Sequence, residues 1–132
     1  MATQNEGPNF SGVAAAAFDK FALVMLDTNG KFAKTTGVAG EDINVLATAQ
    51  EAASAADEVK ELRALNCVAS AKVVAAVNNI TVGQTLYTAA SGRASNASTS
   101  GTAVGIAKQA SSAAGDIIEM FPRPSRDDAD VT

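Results

Sequence analysis

Histidine and tryptophan are absent from this sequence of 132 residues, which has one cysteine, Cys67, and one tyrosine. Without His, the Ser-His-Asp and Cys-His nucleophile systems and His-ligated metal sites are excluded. A single Cys cannot form an internal disulfide or a multi-cysteine metal site, and its apolar setting favours a small buried side chain. We therefore expect a protein that is not an enzyme and that uses no cofactor and no metal.

Positive charge and long apolar runs are also scarce. The formal net charge is −4 and the sequence pI is about 4.6, which argues against electrostatic binding of nucleic acid. No apolar stretch approaches the roughly 18 residues of a membrane span. The short apolar run 13–17 has no basic segment before it, so it does not read as a signal peptide. We expect neither nucleic acid nor membrane as a partner.

Small side chains are abundant instead. Ala, Gly, Ser and Thr supply 60 residues, whereas Val, Ile, Leu, Met and Phe supply only 31. Because burial stabilises by about 25 cal/mol per Å² of apolar surface, such side chains give one modest core. Self-association is a common remedy for a thin core.

Composition divides the chain into three parts. Residues 1–12 are polar and rich in turn formers apart from Phe10, which predicts an extended N-terminal arm. Residues 13–122 are predicted to form a single β-rich domain. Pro122 and Pro124 end the regular structure, and residues 123–132 form an acidic tail expected to be flexible.

Strand patterns dominate the predicted domain. Asp27-Thr28-Asn29-Gly30 is typical of a hairpin turn between two strands. One segment, 48–64, has apolar residues at helical spacing, so a short helix and a strand-loop-strand arrangement both stay open. Predicted strands cover residues 21–26, 31–35, 68–77, 84–89, 94–97 and 116–121.

A weak internal repeat favours the strand alternative. Residues 50–62 align with 109–121, placing Asp57 on Asp116, and residues 23–31 align with 85–93. The pseudo-repeats span about 20–65 and 66–122. They predict a mainly all-β fold, a small β-barrel or β-sandwich built from two weakly similar halves, with at most one short helix.

The acidic motifs favour structural roles. Asp57 and Asp116 are predicted to accept backbone N–H bonds in turns that precede strands. Glu41-Asp42 is an adjacent pair whose side chains point to opposite faces of an extended chain. The spacing of a calcium loop is absent around Asp27. A hydrolase built on paired carboxylates is therefore disfavoured.

Two features keep a different class of function open. Lys31 follows the Asn-Gly turn, as the modified lysine of a carrier barrel would, although its neighbours Gly30 and Phe32 match that pattern poorly. The second feature is the loop from Gly37 to Gly40, which lacks the Gly-Lys-Ser/Thr of a phosphate loop but could be the working part of a binding module. A stand-alone small β-barrel binding or carrier module is thus the alternative hypothesis.

An ordered series of motifs runs through the second half: NITVGQTLY at 79–87, Gly92-Arg93, VGIA at 104–107 and AAGD at 113–116. The series resembles the capsid cement (head decoration) proteins of tailed bacteriophages. The likeness covers about residues 66–122 well and 20–65 more loosely. Gln84 departs from the family, which usually has Asp or Glu there.

The resemblance implies a structural protein made in the host cytoplasm and located on the outer surface of the virion capsid. It would bind the major capsid protein between capsomers, commonly as a homotrimer, and stabilise the head against internal DNA pressure. Pro8, Asn9 and Phe10 are the predicted capsid-binding residues, anchoring the arm to a capsid strand by β-augmentation.

Overall fold

The computed structural model describes residues 9–38, 45–99 and 101–123. No α-helix occurs among these residues, and in particular none long and apolar enough to cross a membrane. The predicted all-β fold class is therefore confirmed. The described elements are β1 Asn9–Val13, β2 Leu23–Leu26, β3 Phe32–Lys34, β4 Val45–Ala49, β5 Val59–Ala64, a 3-10 turn Leu65–Cys67, β6 Ala71–Val74, β7 Thr85–Thr88, β8 Ala94–Ser95, β9 Ala103–Ala107 and β10 Ile117–Pro122.

The strands form two antiparallel sheets of identical topology, one from each half of the chain. The first has the order β1-β5-β4-β2-β3 and the second β6-β10-β9-β7-β8. Each sheet curls until its edge strands meet at a single parallel bridge, Ala14 to Phe32 in the first and Ala75 to Ala94 in the second. Each half is thus a small, curled, barrel-like sheet whose two edge strands touch at one bridge.

The registers of the two halves correspond residue by residue, which confirms the two-half architecture. Leu23 pairs with Thr48 as Thr85 pairs with Ile106. The register shifts between Val24 and Met25, where Leu46 of β4 is the extra residue of a bulge. The same shift occurs between Leu86 and Tyr87, where Val104 of β9 is the extra residue. Residues 23–31 and 85–93 are therefore equivalent, as the sequence repeat predicts.

The second segment of the predicted repeat alignment is wrong by one residue. Ala49 pairs with Leu62 as Ala107 pairs with Met120, so Leu62 is equivalent to Met120 and not to Phe121. The same shift makes Glu58, and not Asp57, the residue equivalent to Asp116 in the repeat. Acidic residues are adjacent at 57 and 58, so the sequence offered two alignments of similar quality.

Two predicted boundaries also change. Residues 9–12, assigned to the arm, form β1 and pair with β5, because Phe10 and Gly12 alternate inward between polar neighbours. Segment 48–64 is strand-loop-strand: its helical spacing is overridden by the pairing of β4 and β5. Residues 1–8 and the tail from 124 lie outside the described residues.

Each barrel has its own core. The first is filled by Phe18, Val24, Phe32 and Leu62 among buried alanines, with Phe10 packed against them. The second is filled around Ile80, Leu86 and Met120, and it also takes in Leu23, Val45 and Leu65 from the first half. The second core therefore extends across the contact between the halves, while the first is a separate cluster. Small residues line both, so that strands approach closely.

Backbone contacts bind the second hairpin to the first half. Leu23 N donates to Gly92 O at 2.7 Å, and Gly92 N donates to Thr35 O at 3.2 Å. The buried Thr35 hydroxyl donates to Ala89 O at 2.9 Å. A Cβ on Gly92 would lie 2.7 Å from the Ala22 Cβ, so only glycine permits this approach.

Candidate functional sites

The predicted capsid-binding residues fall at the start of β1. Pro8 lies outside the described residues. Asn9 Nδ2 donates to Glu61 Oε2 at 2.7 Å, and the Phe10 ring packs on Phe32 with centroids 5.7 Å apart. Phe10 is thus part of the first core and not a free anchor.

Asn9 and Phe10 nevertheless border an open depression of about 630 Å³ along β1 and β5. Its wall includes Val59, whose side chain is 65% exposed. Asn9 Oδ1 is buried and accepts no hydrogen bond from the described residues. The depression therefore places the exposed Val59 side chain among polar and charged groups, at the edge strand of the sheet.

The Asn-Gly hairpin has the predicted structure. Asp27 Oδ1 accepts the backbone N–H groups of Asn29 and Lys31, at 2.8 and 2.9 Å, which closes the turn. Lys31 Nζ contacts Asp57 Oδ1 at 2.6 Å, and that bond and charge raise the pKa of Lys31. The ammonium group ties this turn to the loop before β5, which is unlike the free amine that a carrier lysine presents.

Asp116 has the predicted role and Asp57 does not. Asp116 Oδ2 accepts the N–H groups of Ser112 and Ala113 at 2.8 and 3.0 Å, so its pKa is lowered. In the first half this role belongs to Glu58, which accepts the Ser54 hydroxyl at 2.6 Å and the Ser54 N–H at 3.0 Å. These bonds lower the pKa of Glu58. Asp57 instead pairs with Lys31.

The glycine-rich connection serves the contact between halves. Gly37 has φ of 79°, and its carbonyl accepts the Gly101 N–H at 3.1 Å. A Cβ on Gly37 would lie 2.7 Å from Ala90 N. Gly40 and the pair Glu41-Asp42 lie outside the described residues. Nothing about Gly37 suggests a cradle for phosphate, since its close neighbours are backbone atoms of the other half.

A groove that sequence reasoning missed lies between the two sheets. It has a volume of about 390 Å³ and centres on Phe21, which precedes β2. We call it the Phe21 groove. Its lining is polar and charged around this ring, and comprises Lys20, Phe21, Gln50, Glu61, Arg63, Ser70, Ala71, Lys72 and Glu119.

Phe21 has a strained backbone. Its φ is 67°, a left-handed conformation that is an outlier for a bulky residue. The fold requires it, because Phe21 N donates to Ala49 O at 2.7 Å as the equivalent Gly83 N donates to Ala107 O at 2.9 Å. Gly83 has φ of 92°, so the second half uses glycine where the first has Phe.

Two lysines lie over the Phe21 ring. Lys20 Nζ is 5.1 Å and Lys72 Nζ is 5.7 Å from the ring centroid, both within cation–π range. The sequence signal for this site was the repeat itself, since aligning 23–31 with 85–93 places Phe21 on Gly83. The predicted strand 21–26 concealed it, because Phe21 and Ala22 read as apolar strand residues. The strand begins at Leu23.

The described residues contain no candidate metal site, since no three carboxylate or thiol groups among them lie close enough together to bind an ion.

Comparison with solved structures gives an informative likeness. No family model and no curated protein matches the sequence. Among solved structures, the fold is similar to that of the N base of the head fiber protein gp8.5 of bacteriophage phi29, with a TM-score of 0.61. The match covers 89% of this chain and 95% of that chain, at 14% sequence identity. The two chains share a fold over almost their whole length.

Proposed function

We propose that this chain is a structural protein of a bacteriophage head. The observation that carries the proposal is the fold likeness to the N base of a head fiber protein across 89% of the chain. The motif series of the second half points to the same part of a virion independently, through its resemblance to head decoration proteins. Neither argument calls on catalysis.

In finer terms, we propose a cement role on the outer surface of the capsid. Homotrimers of the chain would bind the major capsid protein where capsomers meet and stabilise the shell against internal pressure. The thin, alanine-rich cores support this, because a subunit of low intrinsic stability gains from association. A trimer also needs only weak contacts per subunit, since linked contacts raise the effective concentration.

The two halves offer equivalent surfaces for such contacts. Val59 and Ile117 occupy matching positions in β5 and β10 and are 65% and 55% exposed. In the first half this surface adjoins the depression bordered by Asn9 and Phe10. We propose residues 8–10 as the docking element. Phe10 would contribute by holding β1 in place, because its ring packs on Phe32.

Co-sedimentation with empty expanded heads of the encoding phage tests the proposal. The purified chain is expected to pellet with heads and to saturate at a fixed ratio, and its mass in solution by light scattering is expected to be that of a trimer. A monomer that stays in the supernatant would overturn the proposal.

The cement role has its own readout, the temperature at which filled heads release DNA. Heads carrying the chain are expected to release DNA at a higher temperature than bare heads. Binding without such a shift would support the head location and reject the stabilising role.

Deleting residues 2–8, which leaves β1 intact, is expected to weaken binding to heads. Val82→Ala serves as the control, because its exposed side chain lies far from β1 in the sequence and outside the depression.

A further inference from the structure

The Phe21 groove collects positive charge on a chain whose net charge is −4. Among the described residues, Lys20, Arg63 and Lys72 form no ion pair. Glu119 is the cross-strand neighbour of Lys72 in the β10–β6 pairing, yet its carboxylate contacts Lys108 at 3.2 Å. The nearby Glu61 carboxylate accepts from Asn9. Both acids of the groove are therefore engaged elsewhere.

The same groove keeps an aromatic ring where the fold favours glycine. The equivalent Gly83 adopts the left-handed conformation without steric cost, and a Cβ there would meet no atom within 4 Å. Space therefore does not dictate which residue occupies this position. Strain retained at an accessible site is typical of positions used in binding.

We propose that the Phe21 groove binds an acidic, extended segment of a partner protein. A Glu or Asp carboxylate would take charge-assisted hydrogen bonds from Lys20 and Lys72, while its methylene groups lie on the Phe21 ring. Arg63 offers a planar fork for a second carboxylate. Gln50 and Ser70 supply neutral polar groups along the same wall.

The charges also select the class of partner. Separate carboxylates on a peptide can sit near the cations and avoid Glu61 and Glu119. A nucleic acid carries a phosphate at every nucleotide, so a strand lying along the groove meets these two acids. The groove is thus matched to an acidic peptide. This inference stands apart from the proposed function, because such a segment need not belong to a capsid protein.

Fluorescence anisotropy of the full chain with a labelled ten-residue peptide of alternating Glu and Gly tests the inference. We expect saturable binding at low salt that weakens at about 200 mM salt, as screening requires. A peptide with Gln in place of Glu is expected to bind at least about tenfold more weakly. Equal binding of the two peptides, or tighter binding of a single-stranded DNA ten-mer, would overturn the inference.

Variants locate the site. Phe21→Gly installs the residue of the second half, so the fold should be retained, and the affinity is expected to fall about tenfold. Lys20→Ala combined with Lys72→Ala should abolish binding. Lys34→Ala removes one exposed charge outside the groove and is the control. If Lys34→Ala weakens binding as much as Lys20→Ala alone, the effect is net charge and the groove assignment fails.

The chain's own Asp127, Asp128 and Asp130 provide a second source of carboxylates. Replacing all three with Asn is expected to leave the peptide affinity unchanged. A clear increase in affinity would mean that the acidic end of this chain competes for the groove, and it would overturn the assignment to a partner protein.

Discussion

The two halves of this molecule have the same strand order, the same bulge and the same closing bridge, but their barrels are filled differently. In the first, Gly12 leaves room for Phe32, and a Cβ on Gly12 would lie 2.8 Å from that ring. In the second, the equivalent positions hold Val73 and Ala94. The larger residue of the pair lies on β3 in the first half and on β6 in the second. The summed side-chain volume at the two positions is therefore about the same in both barrels.

A second difference concerns the left-handed positions. The second half has glycine at Gly83 and Gly115, with φ of 92° and 97°, where the first has Phe21 and Asp57 at 67° and 72°. At these two positions the first half therefore accepts backbone strain that the second avoids, although Ser91 in the second half also has a positive φ, of 62°. Asp57 ties down Lys31, and Phe21 forms the centre of the groove. At these two positions the first half has side chains with specific contacts, and the second half has glycine.

The largest effect is expected from exchanging the core fillings. Phe32→Ala alone should lower the free energy of unfolding by about 3–5 kcal/mol, because it leaves a cavity in the first barrel. Adding Gly12→Val reproduces the Val73 and Ala94 pair and should restore at least about 1 kcal/mol. Urea unfolding of both variants checks this, and additive costs would show that the halves are not packed equivalently.

Substitutions at the equivalent turn residues Gly30 and Gly92 are expected to lower the free energy of unfolding by less than the loss of Phe32. Gly92→Ala combines a left-handed φ of 75° with a 2.7 Å approach to Ala22, so we expect a loss of about 2–4 kcal/mol. Gly30→Ala at φ of 78° meets no atom and should cost about 1 kcal/mol. Thermal unfolding compares the two. Equal losses would mean that Gly92 does not join the halves.

Relief of strain is expected to stabilise the first half. Phe21→Gly should raise the free energy of unfolding by up to about 1 kcal/mol, because glycine adopts this φ freely. Asp57→Gly gains similarly but loses the ion pair with Lys31, so its net change should be close to zero. Denaturant midpoints measure both. Destabilisation by Phe21→Gly would show that the ring is needed for packing.

Acid sensitivity should be shared by both halves and should be the weakest effect. The folded pKa values of Glu58 and Asp116 are lowered, so their contribution is present above the unfolded pKa and is lost as the pH falls through the folded pKa. Glu58→Gln and Asp116→Asn should each flatten the decline in stability on acidification. Melting temperatures between pH 3 and pH 7 check this. An unchanged slope of melting temperature against pH would show that these carboxylates do not contribute to the acid sensitivity.

Much of the fold could be predicted from the pattern of residues, and the errors have physical causes. Asn29-Gly30 and Gly92-Arg93 mark turns by their own conformational preferences, so those hairpins were predictable. Segment 48–64 was not, because its alanines suit a helix locally and only pairing between β4 and β5 makes it a strand. β1 was missed because Asn9, Ser11 and Gly12 look like loop residues until Phe32 is known to fill the space beside them.

The candidate sites divide in the same way. The role of Asp116 is local, since its partners lie within four residues, and it could be inferred from its turn. The Phe21 groove joins residues from both sheets and depends on a backbone conformation, so a reading of single motifs could not find it. Comparing equivalent positions of the repeat was the one route to it.

The role that we propose for this duplicated barrel is that of a structural protein of a phage head. Electron cryomicroscopy of heads with and without the bound chain tests it most directly. We expect difference density on the outer surface of the shell at sites where capsomers meet, with three copies of the paired barrels at each site. Heads that show no added density at saturating concentrations of the chain would contradict it.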